Sequence, residues 1–88
     1  MGNVYMKLRV MPEDVDVDLE KIYEKIREVA PEKVEIRDYK IQPIAFGLKA
    51  LLVMAVMPDE GGIGDRLIEK IEQIEGVESV EVDEFELI

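Results

Sequence analysis

Ile22–Val29 (IYEKIREV) and Leu67–Ile74 (LIEKIEQI) carry the same helical pattern, and each is followed by a second matched stretch. Val34–Ile41 (VEIRDYKI) and Val80–Leu87 (VEVDEFEL) alternate apolar and polar residues, then slip by one at Arg37–Asp38 and at Asp83–Glu84. A block of helical period followed by one of period two, repeated once, predicts two similar helix–strand units. The shared slip predicts a bulge or a break at the same point of each strand.

The segments between these units complete the plan. Met1–Met11 sets Val4, Met6, Leu8 and Val10 against Tyr5, Lys7 and Arg9, as a strand with one buried face does; Pro12 ends it. Glu13–Val17 is an acidic loop, with Asp16 or Asp18 available to cap a helix. Leu19, Ile22, Tyr23, Ile26, Val29 and Ala30 line one face of that helix, and Pro31 stops it. Gln42–Gly47 is a turn. Leu48–Met57 is apolar at both parities except Lys49, as a central strand covered on both faces, or nearly so, would be. Pro58–Gly62 is a loop before a second helix expected over Asp65–Ile74, with Leu67, Ile68, Ile71 and Ile74 inward and Gly76 just past its end.

The order βαββαβ with right-handed crossovers gives an α+β, ferredoxin-like sandwich: a four-stranded antiparallel sheet in order 4-1-3-2 with both helices on one face. In it the Gln42–Gly47 hairpin lies at one end of the sheet. The C-terminus and the Pro58–Gly64 loop lie at the other, roughly 27 Å away for a strand of about eight residues.

With 88 residues, 48% of them apolar, the chain reads as a single domain over 1–88 with its own core. No run reaches the ~20 apolar residues of a membrane span, and no secretory signal opens the sequence. Without cysteine there are no disulfides, thiolate metal sites or thiol nucleophiles, which fits a cytoplasmic location. The formal charge of −10 opposes binding to nucleic acid and favours a basic protein partner, or serves solubility alone.

Enzyme chemistry finds no foothold. The chain has neither His nor Cys, and no two carboxylates or lysines form a recognisable acid–base pair. Asp14-Val15-Asp16-Val17-Asp18 resembles the start of a calcium loop, but Leu19 stands where a glycine is needed and Lys25 where a bidentate Glu is needed. It reads as a solvated acidic turn. Gly61-Gly62-Ile63-Gly64 lacks the Lys-Ser/Thr of a nucleotide loop, and Asp59, Glu60 and Asp65 would repel an anion. No cofactor and no metal are implied.

Between the second and third strands stands Ile41-Gln42-Pro43-Ile44-Ala45-Phe46-Gly47-Leu48-Lys49. Pro43 biases Gln42 towards an extended backbone, Gly47 opens conformations closed to other residues, and small neighbours let the Phe46 ring project. On residues alone, that ring either anchors a partner or folds back over the core. The Pro-Ile-Ala-Phe-Gly turn resembles the signature of the archaeal elongation factor 1-beta family of guanine-nucleotide exchange factors. Met11-Pro12 and the opening Met1-Gly2 are also similar to archaeal members, and the resemblance runs over the whole chain.

That resemblance implies a factor without covalent chemistry that binds the elongation factor 1-alpha GTPase and weakens its hold on GDP. It further implies partner contacts at Pro43, Ile44, Ala45, Phe46 and Gly47. In related eukaryotic exchange domains this phenylalanine enters a pocket on the second domain of the GTPase. A second contact is implied at the C-terminal end, at Phe85 and Glu86. There the eukaryotic relatives carry a lysine that disturbs the magnesium and phosphate site, and this chain has none, so that displacement does not transfer. Glu86 competing for the metal, or for a phosphate-binding lysine, is the substitute reading.

Two alternatives share the topology. An RNA-recognition module would stack bases on aromatics of the first and third strands, which offer only Tyr5. A small-molecule-sensing regulatory module is not excluded by the residues themselves. The face bearing Tyr5, Lys7 and Arg9 leaves homo-oligomer formation open, unless the Lys7 and Arg9 stems cover it.

Overall fold

The structure, a computed structural model, describes residues 2–88. The opening Met1, with the part of the first-strand and family expectations that falls on it, lies outside the described residues. Six elements follow in order: β1 (Asn3–Pro12), α1 (Leu19–Val29), β2 (Glu35–Pro43), β3 (Lys49–Pro58), α2 (Ile63–Glu72) and β4 (Val77–Leu87). All pairings are antiparallel, in the order β2-β3-β1-β4, which is the expected 4-1-3-2 read from the other edge.

Alternation on β1 decides which face is buried. Val4, Met6, Leu8 and Val10 point with Leu51, Val53, Ala55 and Met57 of β3 into one apolar cluster. Leu19, Ile22 and Ile26 of α1, and Ile63, Leu67 and Ile71 of α2, close the same cluster, so both helices cover one face. Asp18, rather than Asp16, caps α1: its carboxylate accepts the backbone N–H groups of Glu20 and Lys21 at 3.1 and 3.3 Å. Asp16 instead donates its own N–H to the Asp14 carboxylate at 2.6 Å.

Both expected slips are bulges. The β2–β3 register skips Arg37, and the β1–β4 register skips Asp83. Arg37 and Asp83 hold the same place in the two matched stretches, so the repeat extends to the irregularity of each edge strand. A second irregularity, between Met11 and Pro12 against β4, has no counterpart in the alternation.

Several boundaries differ from the sequence reading. Helix α2 starts at Ile63, not Asp65, because Gly62 adopts a left-handed conformation (φ 86°) and turns the chain into the helix without a side-chain cap. It ends at Glu72, so Gly76 (φ 97°) serves the turn into β4 rather than the helix cap. Gln42 and Pro43 belong to β2, opposite Ala50 and Lys49, which narrows the hairpin turn to residues 44–48.

The helix-free face carries charges over apolar residues. Leu52 is 4% exposed and Ala50 fully buried, yet both lie outside the main cluster. In register, Leu52 stands between Arg9 and Lys40. Arg9 pairs with Glu81, and Lys7 lies 3.9 Å from Glu84. The hydrogen bond to Glu81, helped by the charges of Glu81 and Asp83, raises the Arg9 guanidinium above its ordinary value. The aliphatic stem of Arg9, beside Leu52 in register and held by Glu81, accounts for the cover over Leu52.

Candidate partner interface

The tip between β2 and β3 is built by its backbone. Leu48 N–H donates to Ala45 C=O at 2.9 Å, and the two residues between, Phe46 (φ 53°) and Gly47 (φ 80°), both have positive φ. That is the pattern of a type I′ hairpin turn, whose first central position favours Asn, Asp or Gly. Ile44 N–H also bonds Leu48 C=O at 2.9 Å, which ties the turn to the ends of both strands. Phe46 is the one residue other than glycine with positive φ among the described residues, and it is 98% exposed. Its ring does not fold back over the core.

Pro43 closes β2 beneath this turn, and Ile44, Ala45 and Gly47 are all exposed around it. Pro43, Ile44, Ala45, Phe46 and Gly47 therefore form one contiguous tip. Val15, 56% exposed, joins them: its Cγ1 lies 3.6 Å from where a Cβ on Gly47 would stand. Sequence reasoning passed over Val15 as part of an acidic loop. The available signal was an apolar residue between Asp14 and Asp16, where solvation alone calls for none.

The opposite end gathers three segments. Asn3 and Ile88 exchange backbone hydrogen bonds of 3.2 and 2.8 Å, and Asp59 N–H reaches Gly2 C=O at 2.9 Å. Phe85 and Glu86 lie here, but on different faces. Phe85 pairs in register with Met6 on the helix side, and Glu86 with Tyr5 on the open side. Val82 and Leu87 share the helix side with Phe85, and all three are exposed.

At Phe85 the exposure goes with a broken symmetry. In the first half, Tyr39 of β2 packs on Tyr23 of α1, ring centroids 4.1 Å apart. The equivalent positions of the second half hold Phe85 and Ile68. Ile68 is too small to cover the Phe85 ring, which stays 58% exposed. Between them lies a groove of about 310 Å³ with Met6, Met57 and Val82 in its walls and Asp59, Glu60 and Asp65 at its rim. Glu60 also binds Lys33 at 3.3 Å. The longest dimension of the molecule is 43 Å.

Among the described residues, no three His, Cys, Asp or Glu side chains are grouped to hold a metal ion. No helix among them is long and apolar enough to cross a membrane.

Residues 5–88 match the EF-1 guanine nucleotide exchange domain. Elongation factor 1-beta of Archaeoglobus fulgidus is 66% identical over 88 residues, covering all of both chains. The protein of the same name from Methanosphaerula palustris is 49% identical over 87 residues, 99% of each chain. Among solved structures, the ACT domain from the GTP pyrophosphokinase of Chlorobium tepidum superposes with a TM-score of 0.63 at 18% identity, over 91% of this chain and 97% of that one. The C-terminal domain of the MgtC protein from Mycobacterium tuberculosis gives 0.65 at 14% identity, over 99% of this chain and 88% of its own. Likeness at such identities concerns the fold alone. The exchange-domain match leaves a small-molecule sensor without support, and with relatives so similar over their full length the chain belongs to the elongation factor 1-beta family of guanine-nucleotide exchange factors.

Proposed function

We propose that this chain, acting as one exchange domain over 1–88, promotes exchange of GDP for GTP on elongation factor 1-alpha in the cytoplasm, and that it does so without a covalent step. Binding linkage supplies the mechanism. A factor that holds the empty GTPase more tightly than the GDP-bound form weakens GDP by the same ratio.

The observation that carries the reading is Phe46: a fully exposed phenyl ring on a left-handed residue of a tight turn. Such a ring contributes nothing to the core and suits a pocket on a partner. We place Pro43–Gly47 against one domain of the GTPase and the far end, with Phe85 and Glu86, against its nucleotide domain. Since Phe85 and Glu86 face opposite ways, Phe85 would seat apolar contacts along the groove, while Glu86 would address the metal or a phosphate-binding lysine from the open side. The acidic surface speeds approach to basic regions of the partner.

Stopped-flow release of fluorescent GDP from the cognate GTPase tests this. The intact chain should accelerate release, and Phe46→Ala should weaken the complex by about 2 kcal/mol or more. Unchanged exchange by Phe46→Ala would remove the anchor. Glu86→Ala with an unchanged rate would remove Glu86 from the mechanism.

A further inference from the structure

A wide groove of about 870 Å³ is lined by α1 and the residues before it on one side, and by the end of α2 and the turn after it on the other. Its floor is apolar, with Val17, Ile22 and Ile74. Gly76 keeps that floor open, since a Cβ there would come within 3.2 Å of Val17 Cγ1. Its walls hold Lys21 and Lys25, one turn apart on α1, and Lys70 in the last turn of α2. Among the described residues none of these three lysines has an ion-pair partner. The three lysines outnumber the two acidic residues of the lining, Asp18 and Glu75, and the Asp18 carboxylate accepts the α1 N–H groups that it caps.

Three lysines against two carboxylates, on a chain of formal charge −10, is a local reversal of sign. The far-end groove, by contrast, has only acidic residues at its rim. We infer that the interhelix groove docks an acidic, amphipathic segment of a second protein, whose apolar side chains cover Val17, Ile22 and Ile74 while its carboxylates meet the three lysines. Charge complementarity selects the sign of the partner, and the apolar floor selects a peptide over a nucleic acid. A polyanion would gain little from that floor and would meet the repulsion of the remaining surface. The groove contains none of Pro43, Ile44, Ala45, Phe46, Gly47, Phe85 or Glu86, so a docked segment leaves both exchange contacts free.

The test uses a fluorescein-labelled amphipathic helical peptide with Leu on one face and Glu on the other, its Lys-for-Glu counterpart, and a single-stranded oligoribonucleotide. Fluorescence anisotropy against the full chain should show saturable binding of the Glu peptide alone, weakened by added salt. Amide shift changes should centre on Lys21, Lys25, Lys70 and Ile74. The triple variant Lys21→Glu, Lys25→Glu, Lys70→Glu should weaken binding about tenfold or more, and the corresponding triple Gln variant less, with the rate of stimulated GDP release at saturating factor unchanged. Equal binding of the Lys peptide, tighter binding of the oligoribonucleotide, shift changes confined to other surfaces, or no saturable binding would each overturn the proposal.

Discussion

Phe46 and Gly47 occupy neighbouring left-handed positions, φ 53° and 80°, at the tip of the β2–β3 hairpin, and only one of them is a glycine. For an ordinary residue this conformation costs about 1 kcal/mol. The Phe46 ring, 98% exposed, recovers none of that through burial. Folding and the proposed partner contact therefore pull on this residue in opposite directions.

Phe46→Asn should separate the two. Asparagine tolerates the left-handed region, so unfolding in urea should show a gain of about 0.5–1 kcal/mol. Affinity for the nucleotide-free GTPase should fall by at least about 2 kcal/mol in the same variant. A loss of stability would mean that the ring packs on the chain and is no anchor.

On the open face, Arg9 and Glu81 should prove unequal. Their ion pair is partly exposed, so Glu81→Gln should cost about 1 kcal/mol or less. Arg9→Ala also strips the stem from above Leu52 and should cost about 1–2 kcal/mol. Arg9→Met, which keeps a long apolar stem, should recover most of that difference. Equal losses for Arg9→Ala and Glu81→Gln in thermal or urea unfolding would show that charge, not cover, is what matters there.

In the groove at the far end, Ile68 stands where the first half has Tyr23. Ile68→Tyr should recreate the packing of Tyr23 on Tyr39, using Phe85 as its partner, and add about 0.5–1 kcal/mol of stability. If the groove touches the nucleotide domain, the same change should slow stimulated GDP release. Faster unfolding with unaltered exchange would contradict both statements.

Much of the fold was legible because its signals are periodic. The alternation on β1 named its buried face residue by residue, and the slips at Arg37 and Asp83 marked two bulges that backbone pairing then required. The hydrophobic pattern places the start of helix α2 two residues late, because that start depends on a left-handed Gly62, which leaves no trace in such a pattern. At the site, the turn residues could be read, but not the direction of the Phe46 ring, since an aromatic beside small residues fits a core as well as a partner. Phe85 and Glu86 fall on opposite faces by strand alternation alone, but the exposure of Phe85 on the helix side leaves no trace in the pattern. Val15 carries only a faint mark in the sequence, an apolar residue between two aspartates, because contacts between distant loops leave little local signature.

A rigid bridge assigns different kinetic effects to its two ends. The rate of GDP release, measured by stopped flow across a range of factor concentrations, tests this division. Losing the tip contact through Phe46→Asn should raise the half-saturating concentration about thirtyfold, as a 2 kcal/mol loss of binding requires, with the saturating rate preserved. Phe85→Ala should do the reverse, lowering the saturating rate with little change in half-saturation. A Phe46→Asn curve that coincides with that of the unaltered chain would contradict the bridge.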